Sequence, residues 1–508
     1  MTKARSLSKS YGSKLAVETA QETKLGSKKR RSKARIVALT AGVGALAAAV
    51  LATTAPNAPG ASAASGPAAS AQPRVVVNPG IIQLAYPVRA TPASTAQCEQ
   101  LYRIACYQPG QIRVAYSLPA LYRRKITGKG ATIAIVDPFG SPTIRNDLAV
   151  FDKQFGYPAP PSFKIIAPAG KIPAYNANDP AMIGDAGETT LDVEYAHALA
   201  PGASILLVET PVDETEGTTG FPQIVAAEKY VIDHGLADVI SQTASATEET
   251  FTSYRQLEPL RAAYLDAYAH HVTVLDDSGD AGATGPTPNG SYYTSPVTQW
   301  PASDPLVTAV GGTQLKLSGG KYTSVAWNDT YNTAVNQYFG GDTGPNPAAS
   351  GGGKSEFFAR PQYQDGVKSV VGAQRGVPDI SMSGACNGAV EGYHTFGGLP
   401  PGWSLACGTS EATPEFSAIV ALADQVAGHR LGLLNPRLYA LSAANAPGIV
   451  DVTSGNNTVS FRQGAADKLY TVRGYPARKG YDLVTGVGTV NALYLVYELA
   501  GCYPSPRR

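Results

Sequence analysis

Residues 184–208 read GDAGETTLDVEYAHALAPGASILLV, that is Gly184 through Val208. Residues 184–199 have the spacing of an amphipathic helix, and Ser204-Ile205-Leu206-Leu207-Val208 is a short apolar run of strand type. The same alternation continues on both sides. Upstream, Thr132-Ile133-Ala134-Ile135-Val136 is a buried-strand run that follows Gly128-Lys129-Gly130. Downstream come a helix over 222–234, a strand at Val239-Ile240-Ser241, a helix over 253–270 and a strand at Val272-Thr273-Val274-Leu275. Short apolar strands alternating with helices predict an α/β fold, a mainly parallel sheet with helices on both faces. In such sheets the working residues gather at the carboxyl ends of the strands, so the loops there are where chemistry is sought.

The 508 residues carry a formal net charge of +2. The charge is unevenly distributed. Residues 1–35 hold eleven Lys and Arg against two acids, a net of +9, which leaves −7 for the rest. A nucleic-acid-binding body does not look like this. The basic stretch is followed by an apolar, uncharged run from Ile36 to about Thr54 and by Ala61-Ser62-Ala63. That order is the pattern of a secretory signal peptide over 1–63, with an uncleaved anchor as the rival reading because the apolar run is nearly long enough to span a membrane. Export places the body in an oxidising compartment, where disulfides persist. Of five Cys, Cys98 and Cys106 could pair, as could Cys386 and Cys407, leaving Cys502 over; buried free thiols are the alternative. Residues 64–111, rich in Ala, Pro and Ser, read as a linker or short pro-segment with one β-like run at Arg74-Val75-Val76-Val77. The main domain is expected over 112–508.

Three loops carry candidate chemistry. In Gly408-Thr409-Ser410-Glu411-Ala412-Thr413-Pro414 small residues run straight into a helical pattern. A Ser at a helix mouth has backbone N–H groups and the positive helix end beside it, both suited to an oxyanion; it is equally the residue of an ordinary N-cap. A Ser nucleophile needs a base, and none of the six His sits in a recognisable catalytic setting. Glu188 and Asp192 lie four residues apart on one helical face. Asp185 and Glu188 have the spacing of an acidic N-cap with its N3 partner, which accounts for Glu188 but not for Asp192. A carboxyl pair that shares a proton accounts for both, because one member stays basic while the other holds it. The third loop is Ser278-Gly279-Asp280-Ala281-Gly282, after the strand at 272–275. A protonated Asp280 there can donate to an oxyanion; the alternative is a turn Asp.

Five stretches together resemble the sedolisins, serine-carboxyl peptidases built on a subtilisin-like fold: GETTLDVEYAHALAPGASILLVE, VTVLDDSGDAGATG, WPASDPLVTAVGGT, CGTSEATPEFSAIVALADQ and KGYDLVTGVGTVNA. Their order matches the family from about residue 112 to 500. The resemblance implies a subtilisin-like three-layer fold. It implies Ser410 as nucleophile, Glu188 as general base, Asp192 as its orienting partner, and Asp280 as oxyanion-hole acid beside the Ser410 N–H. It also implies one structural calcium ion, held by the carboxylates of Asp451 and Asp482 and the carbonyls of Val452, Arg478 and Gly480, an all-oxygen set that suits a hard cation.

Three departures stand out. Arg478 occupies a position where the family tends to have Gly. Asp137 falls where some members have a Glu that extends the catalytic network. Only about fifty residues lie between the signal and the catalytic domain, short for the family's prodomain. The expectation is a secreted, monomeric serine-type endopeptidase acting at acidic pH on protein or peptide substrates, with no nucleic-acid partner and no membrane contact after signal cleavage. The alternatives are a catalytically silent secreted binding protein of the same fold, and an esterase or transpeptidase using the same acyl-enzyme logic.

Overall fold

The computed structural model describes residues 75–78, 81–84, 91–340 and 344–502. All lie in the unit Ser70–Arg508. The signal peptide expected over 1–63 lies outside the described residues. At its centre is an eight-stranded sheet: β1 (Thr132–Pro138), β2 (Phe163–Ile166), β3 (Ser204–Thr210), β4 (Val239–Gln242), β5 (Thr273–Asp277), β6 (Thr308–Ser318), β7 (Lys321–Ala326) and β8 (Ile380–Ser383). The order across the sheet is β7-β6-β5-β4-β1-β3-β2, with β8 also paired to β6. Every pairing is parallel except β6 with β7. This is the subtilisin-like three-layer architecture, and the residue alternation explains why. Along β1, Ile133 and Ile135 enter one core with Leu191, Tyr195, Phe416 and Ile419. Ala134 and Val136 enter the other core with Phe221, Ile224, Val231 and Tyr264. A strand with apolar residues on both faces needs helices on both faces.

The helix expected over 184–199 runs Pro180–Leu199. Its cap is Asp179, whose Oδ1 accepts from Ala181 N at 3.1 Å, with Pro180 in the first turn. The Asp185–Glu188 capping alternative is thereby corrected: both residues lie inside the helix and are buried. The helix expected over 222–234 is Phe221–Asp233. The expected helix 253–270 is broken into Tyr254–Leu257, a 3₁₀ turn Glu258–Arg261 and Ala262–His270. Pro259 is the cause, since it lacks an N–H and its ring crowds the preceding turn.

The largest difference falls in the expected linker. Residues 94–111 are folded into the domain: Thr95–Tyr102 and the start of Pro109–Ala115 are helical, Cys106–Tyr107 is a strand, and Ile104, Tyr107 and Ile112 are buried. The β-like run forms a strand, Val75–Asn78, antiparallel to Ile81–Leu84. That second strand pairs in turn with Gly402–Cys407, which leads into Ser410. Composition misled here because Ala, Ser and Pro are also helix-start residues, and local pairing is settled by distant strands. Cys98 is bonded to Cys106 and Cys386 to Cys407, and Cys502 is a free, exposed thiol. Among the described residues no helix is long and apolar enough to cross a membrane.

Candidate active site

β1 and β4 are neighbours, yet the chain leaves β1 toward β2 and β3 and leaves β4 toward β5. Their carboxyl ends therefore diverge and open a crevice, as expected at a topological switch point. Pro138 and Thr243 with Ala244, from the two strand ends, line a cleft there together with Glu188 of the Pro180–Leu199 helix.

Ser410 lies in the first turn of the helix Thr409–Ala427, whose N-cap is Gly408. The reading of Ser410 as a mere N-cap is therefore corrected. Gly408 has φ 128°, a conformation open to glycine and strained for other residues. It sets the sharp turn from Gly402–Cys407 into the helix. The Cys386–Cys407 disulfide anchors the residue just before that turn.

The helix mouth is closed by carboxyls. Thr409 N donates to Asp280 Oδ1 at 2.6 Å, and the Thr409 hydroxyl lies 2.8 Å from the same oxygen. That hydroxyl is also 2.7 Å from Asp277 Oδ2, which accepts from Gly279 N at 3.0 Å. Asp280 Oδ2 is buried with no hydrogen-bond partner among the described residues. Burial, and then the Asp277 charge, push Asp280 well above the ordinary carboxyl range, while Thr409 pulls it back in part. A proton on Oδ2 then has a place in the next bond formed at the helix mouth, one residue from the Ser410 N–H.

Glu188 meets Ser410. Its carboxyl is buried, and the neighbouring Ser410 and Thr243 side chains favour its charged form; burial and the Asp137 charge act the other way and prevail. Asp192 is fully buried beside them. Burial, Asp137 and Glu188 raise it strongly. Asp137, at the end of β1, is pushed up to about 7 by burial, with the Thr189 hydroxyl opposing. Three carboxyls thus share one dry pocket, and like charges cannot all ionise there. Asp137 is pushed up to about 7, while Glu188 and Asp192 are raised well above the ordinary carboxyl range, and Glu188 is the member beside Ser410.

Five of the six histidines are engaged elsewhere, and His271 is exposed. His197 pairs with Asp152 at 3.2 Å and with Pro158 O. His234, His270 and His429 each face a nearby carbonyl, and His394 stacks on Phe396. The fold brings Ser410, Glu188, Asp192 and Asp280 to the carboxyl edge of one sheet. It adds Thr243, Thr409 and Asp277, which the sequence reading missed. Their signal was positional: Thr243 follows β4 directly, and Asp277 ends β5.

The five calcium candidates lie on two adjoining loops. Asp451 Oδ2 accepts from Gly480 N at 3.0 Å. Asp482 Oδ1 accepts from Val484 N and Thr485 N at 3.0 and 2.8 Å, and Oδ2 accepts from Arg478 N at 2.9 Å. Asp482 is pushed up to about 6, chiefly by burial. The carbonyls of Val452, Arg478 and Gly480 accept no hydrogen bond among the described residues. Two carboxylates and three unused carbonyls on adjoining loops fit an oxygen-ligated cation. The other cluster of ligand-type residues, Cys98, Cys106 and Glu391, offers no such site because its two sulfurs are bonded to each other.

No family model matches the chain. It is similar to kumamolisin of Bacillus sp. (strain MN-32), 30% identical over 402 residues that span 77% of this chain and 63% of the relative. It is similar to tripeptidyl-peptidase 1 of Homo sapiens, 27% identical over 370 residues, 68% of this chain and 56% of that one. The chain thus spans a little over half to under two thirds of these relatives' lengths. Among solved structures, Pseudomonas sedolisin, a serine-carboxyl proteinase complexed with two molecules of pseudo-iodotyrostatin, superposes with a TM-score of 0.63. That match is 25% identical and covers 77% of this chain and 97% of the other.

Proposed function

This chain belongs to the sedolisin family, and we propose that it is a secreted serine-carboxyl endopeptidase that cleaves proteins or peptides at acidic pH. The observation that carries the reading is the placement of the Ser410 side chain beside the buried Glu188 carboxyl at the mouth of a helix. A carboxylate base stays usable at a pH where imidazole is already charged.

In the proposed reaction, Ser410 Oγ attacks the scissile carbonyl carbon while Glu188 removes its proton. Asp192 and Thr243 hold Glu188 in place. The Ser410 N–H and the protonated Asp280 donate to the tetrahedral oxyanion. Collapse expels the amine, which takes the proton from Glu188, and leaves an acyl ester on Ser410. Water then gives a proton to Glu188 and attacks the ester; collapse releases the acid, and Glu188 returns the proton to the leaving Ser410 Oγ. Asp137 adds to the carboxyl cluster and acts through Glu188 and Asp192. Asp451, Asp482 and the carbonyls of Val452, Arg478 and Gly480 would hold calcium, which would supply structural cross-linking of their two loops and no chemistry at Ser410.

The test is digestion of a denatured protein by the purified protein from about pH 3 to pH 8, with Ser410→Ala and Glu188→Gln in parallel. Acid-side cleavage absent from both variants supports the scheme. A folded protein that cleaves nothing at any pH leaves the silent binding protein as the better reading. A preference for small esters over the denatured protein points to an esterase. Export is tested separately, by sequencing the N-terminus of protein recovered from culture medium, with a start at Ala64 or Ser65, just after the Ala61-Ser62-Ala63 site, expected.

A further inference from the structure

The cleft beside Glu188 contains acids that the proposed reaction does not use. Asp185 precedes Glu188 by three residues, and Glu214 enters from the loop after β3. With Glu188, Thr243, Pro138 and Gly184 they line the crevice. Glu214 is only 5% exposed, and its Oε2 is buried without a hydrogen-bond partner among the described residues. Its other interactions are with its own backbone and with the Asp213 carboxyl. The loop that carries it is fixed: Gly220, at φ 82°, passes so close that a Cβ there would lie 2.5 Å from Asp213 O and from Glu214 Cα.

Neither Asp213 nor Glu214 forms an ion pair with Lys or Arg among the described residues. The charges that press on them come from other carboxyls, Asp179 and Asp137 included. Buried acids without a counter-charge are unfavourable, and a cation arriving from solvent relieves them. The size of the cleft limits which cation. It leaves about 10 Å³ for the centre of a water-sized group, roughly the room of one such group. An ammonium fits that space better than the broader, planar guanidinium. A calcium-like ion wants six to eight oxygens and is served less well.

We infer that Asp185 and Glu214 form a specificity subsite for a primary ammonium group of the peptide substrate. The inference rests on the peptidase reading, because a group seated beside Glu188 is continuous with the bond being cut. The ammonium has two sources in a peptide, a Lys side chain or a free N-terminus.

The experiment uses internally quenched peptides carrying Lys or norleucine at each position in turn, with the N-terminus free or acetylated. The wild type, Glu214→Gln and Ser410→Ala are compared. At one position, Lys over norleucine is expected to gain about ten- to hundred-fold in kcat/KM, the scale of a charge-assisted contact. In Glu214→Gln that ratio falls to within about three-fold. If the gain follows the free amine and not Lys, the N-terminus is the occupant and the subsite stands. Cleavage that depends on Ser410 but shows no ammonium preference, or a preference unchanged in Glu214→Gln, overturns the subsite and leaves the peptidase reading intact. Cleavage that persists in Ser410→Ala, or no cleavage of any peptide, overturns both.

Discussion

A carboxyl that works as a base must be charged, and one that works as an oxyanion donor must not be. Glu188 and Asp280 divide these roles by their neighbours. Glu188 has the Ser410 and Thr243 side chains beside it, which favour its charge. Asp280 sits beside Asp277, which disfavours its charge. Glu188→Gln keeps the shape and removes the base, so kcat is expected to fall about 10²- to 10⁴-fold, with the circular dichroism spectrum unchanged. The two Asp280 variants separate donation from packing. Asp280→Ala should lower kcat by about 10²- to 10³-fold, as for loss of one oxyanion donor. Asp280→Asn keeps a donor that cannot ionise, so it should retain more activity and lose the alkaline limb of the pH profile. An unchanged alkaline limb in Asp280→Asn would remove Asp280 from that role.

At the scale of elements, two cross-links position the site. The Cys386–Cys407 bridge ties the turn before Ser410 to the segment leading into the strand Ala389–His394. Replacing both cysteines by Ser is expected to cost about 3 kcal/mol for a loop of this size, read as a lower midpoint in urea. The second cross-link is the proposed calcium site, where the loops at Asp451 and Asp482 already touch through Gly480 N. Chelation should lower the Tm of the wild type. Asp482→Asn should lower it as well and then make it insensitive to chelator; a chelator effect of full size in that variant would place the ion elsewhere. The elements also show how far a sequence can be read. The runs that became β1, β3, β4 and β5 were legible because strands buried on both faces are continuously apolar. The helix broken at Pro259 carried its own warning. The short helices of 94–115 did not, since a window rich in Ala, Ser and Pro has weak periodicity and owes its helicity to burial of Ile104, Tyr107 and Ile112.

Over the whole molecule, buried carboxyls are numerous and their shifts share one sign. Burial is the leading cause for Glu228 and Asp424, each pushed to about 8, and for Glu209 and Glu216, each pushed to about 7. Glu411 and Glu415, one turn apart on the Ser410 helix, are fully buried. Both are raised well above 4.5. In each case the folded pKa lies above the unfolded one. The stability these groups allow is fully present below about pH 4 and is lost as pH rises through 6 to 8. His394 works against this at the acid end, since burial lowers it to about 4, but it is one group against many. Thermal unfolding should therefore give a higher Tm at pH 4.5 than at pH 7.5. Glu415→Gln should flatten that dependence, because a neutral amide has no proton to lose. A Tm that rises toward pH 7.5 would contradict the reading.

The sequence by itself determined the alternation of strands and helices, because period and breakers are local properties of the chain. It also placed Ser410, Glu188, Asp192 and Asp280 on their loops and helices through motifs of fixed spacing. Whether those residues meet was not in the sequence. Ser410 and Glu188 are 222 positions apart, and only the parallel pairing of β1 with β3 and β4 brings their two helices to the same sheet face. The cap at Asp179, the partners Thr409 and Asp277, and Glu214 in the cleft were decided there too. Their roles depend on burial and on a neighbour's charge, and both are properties of the packed molecule.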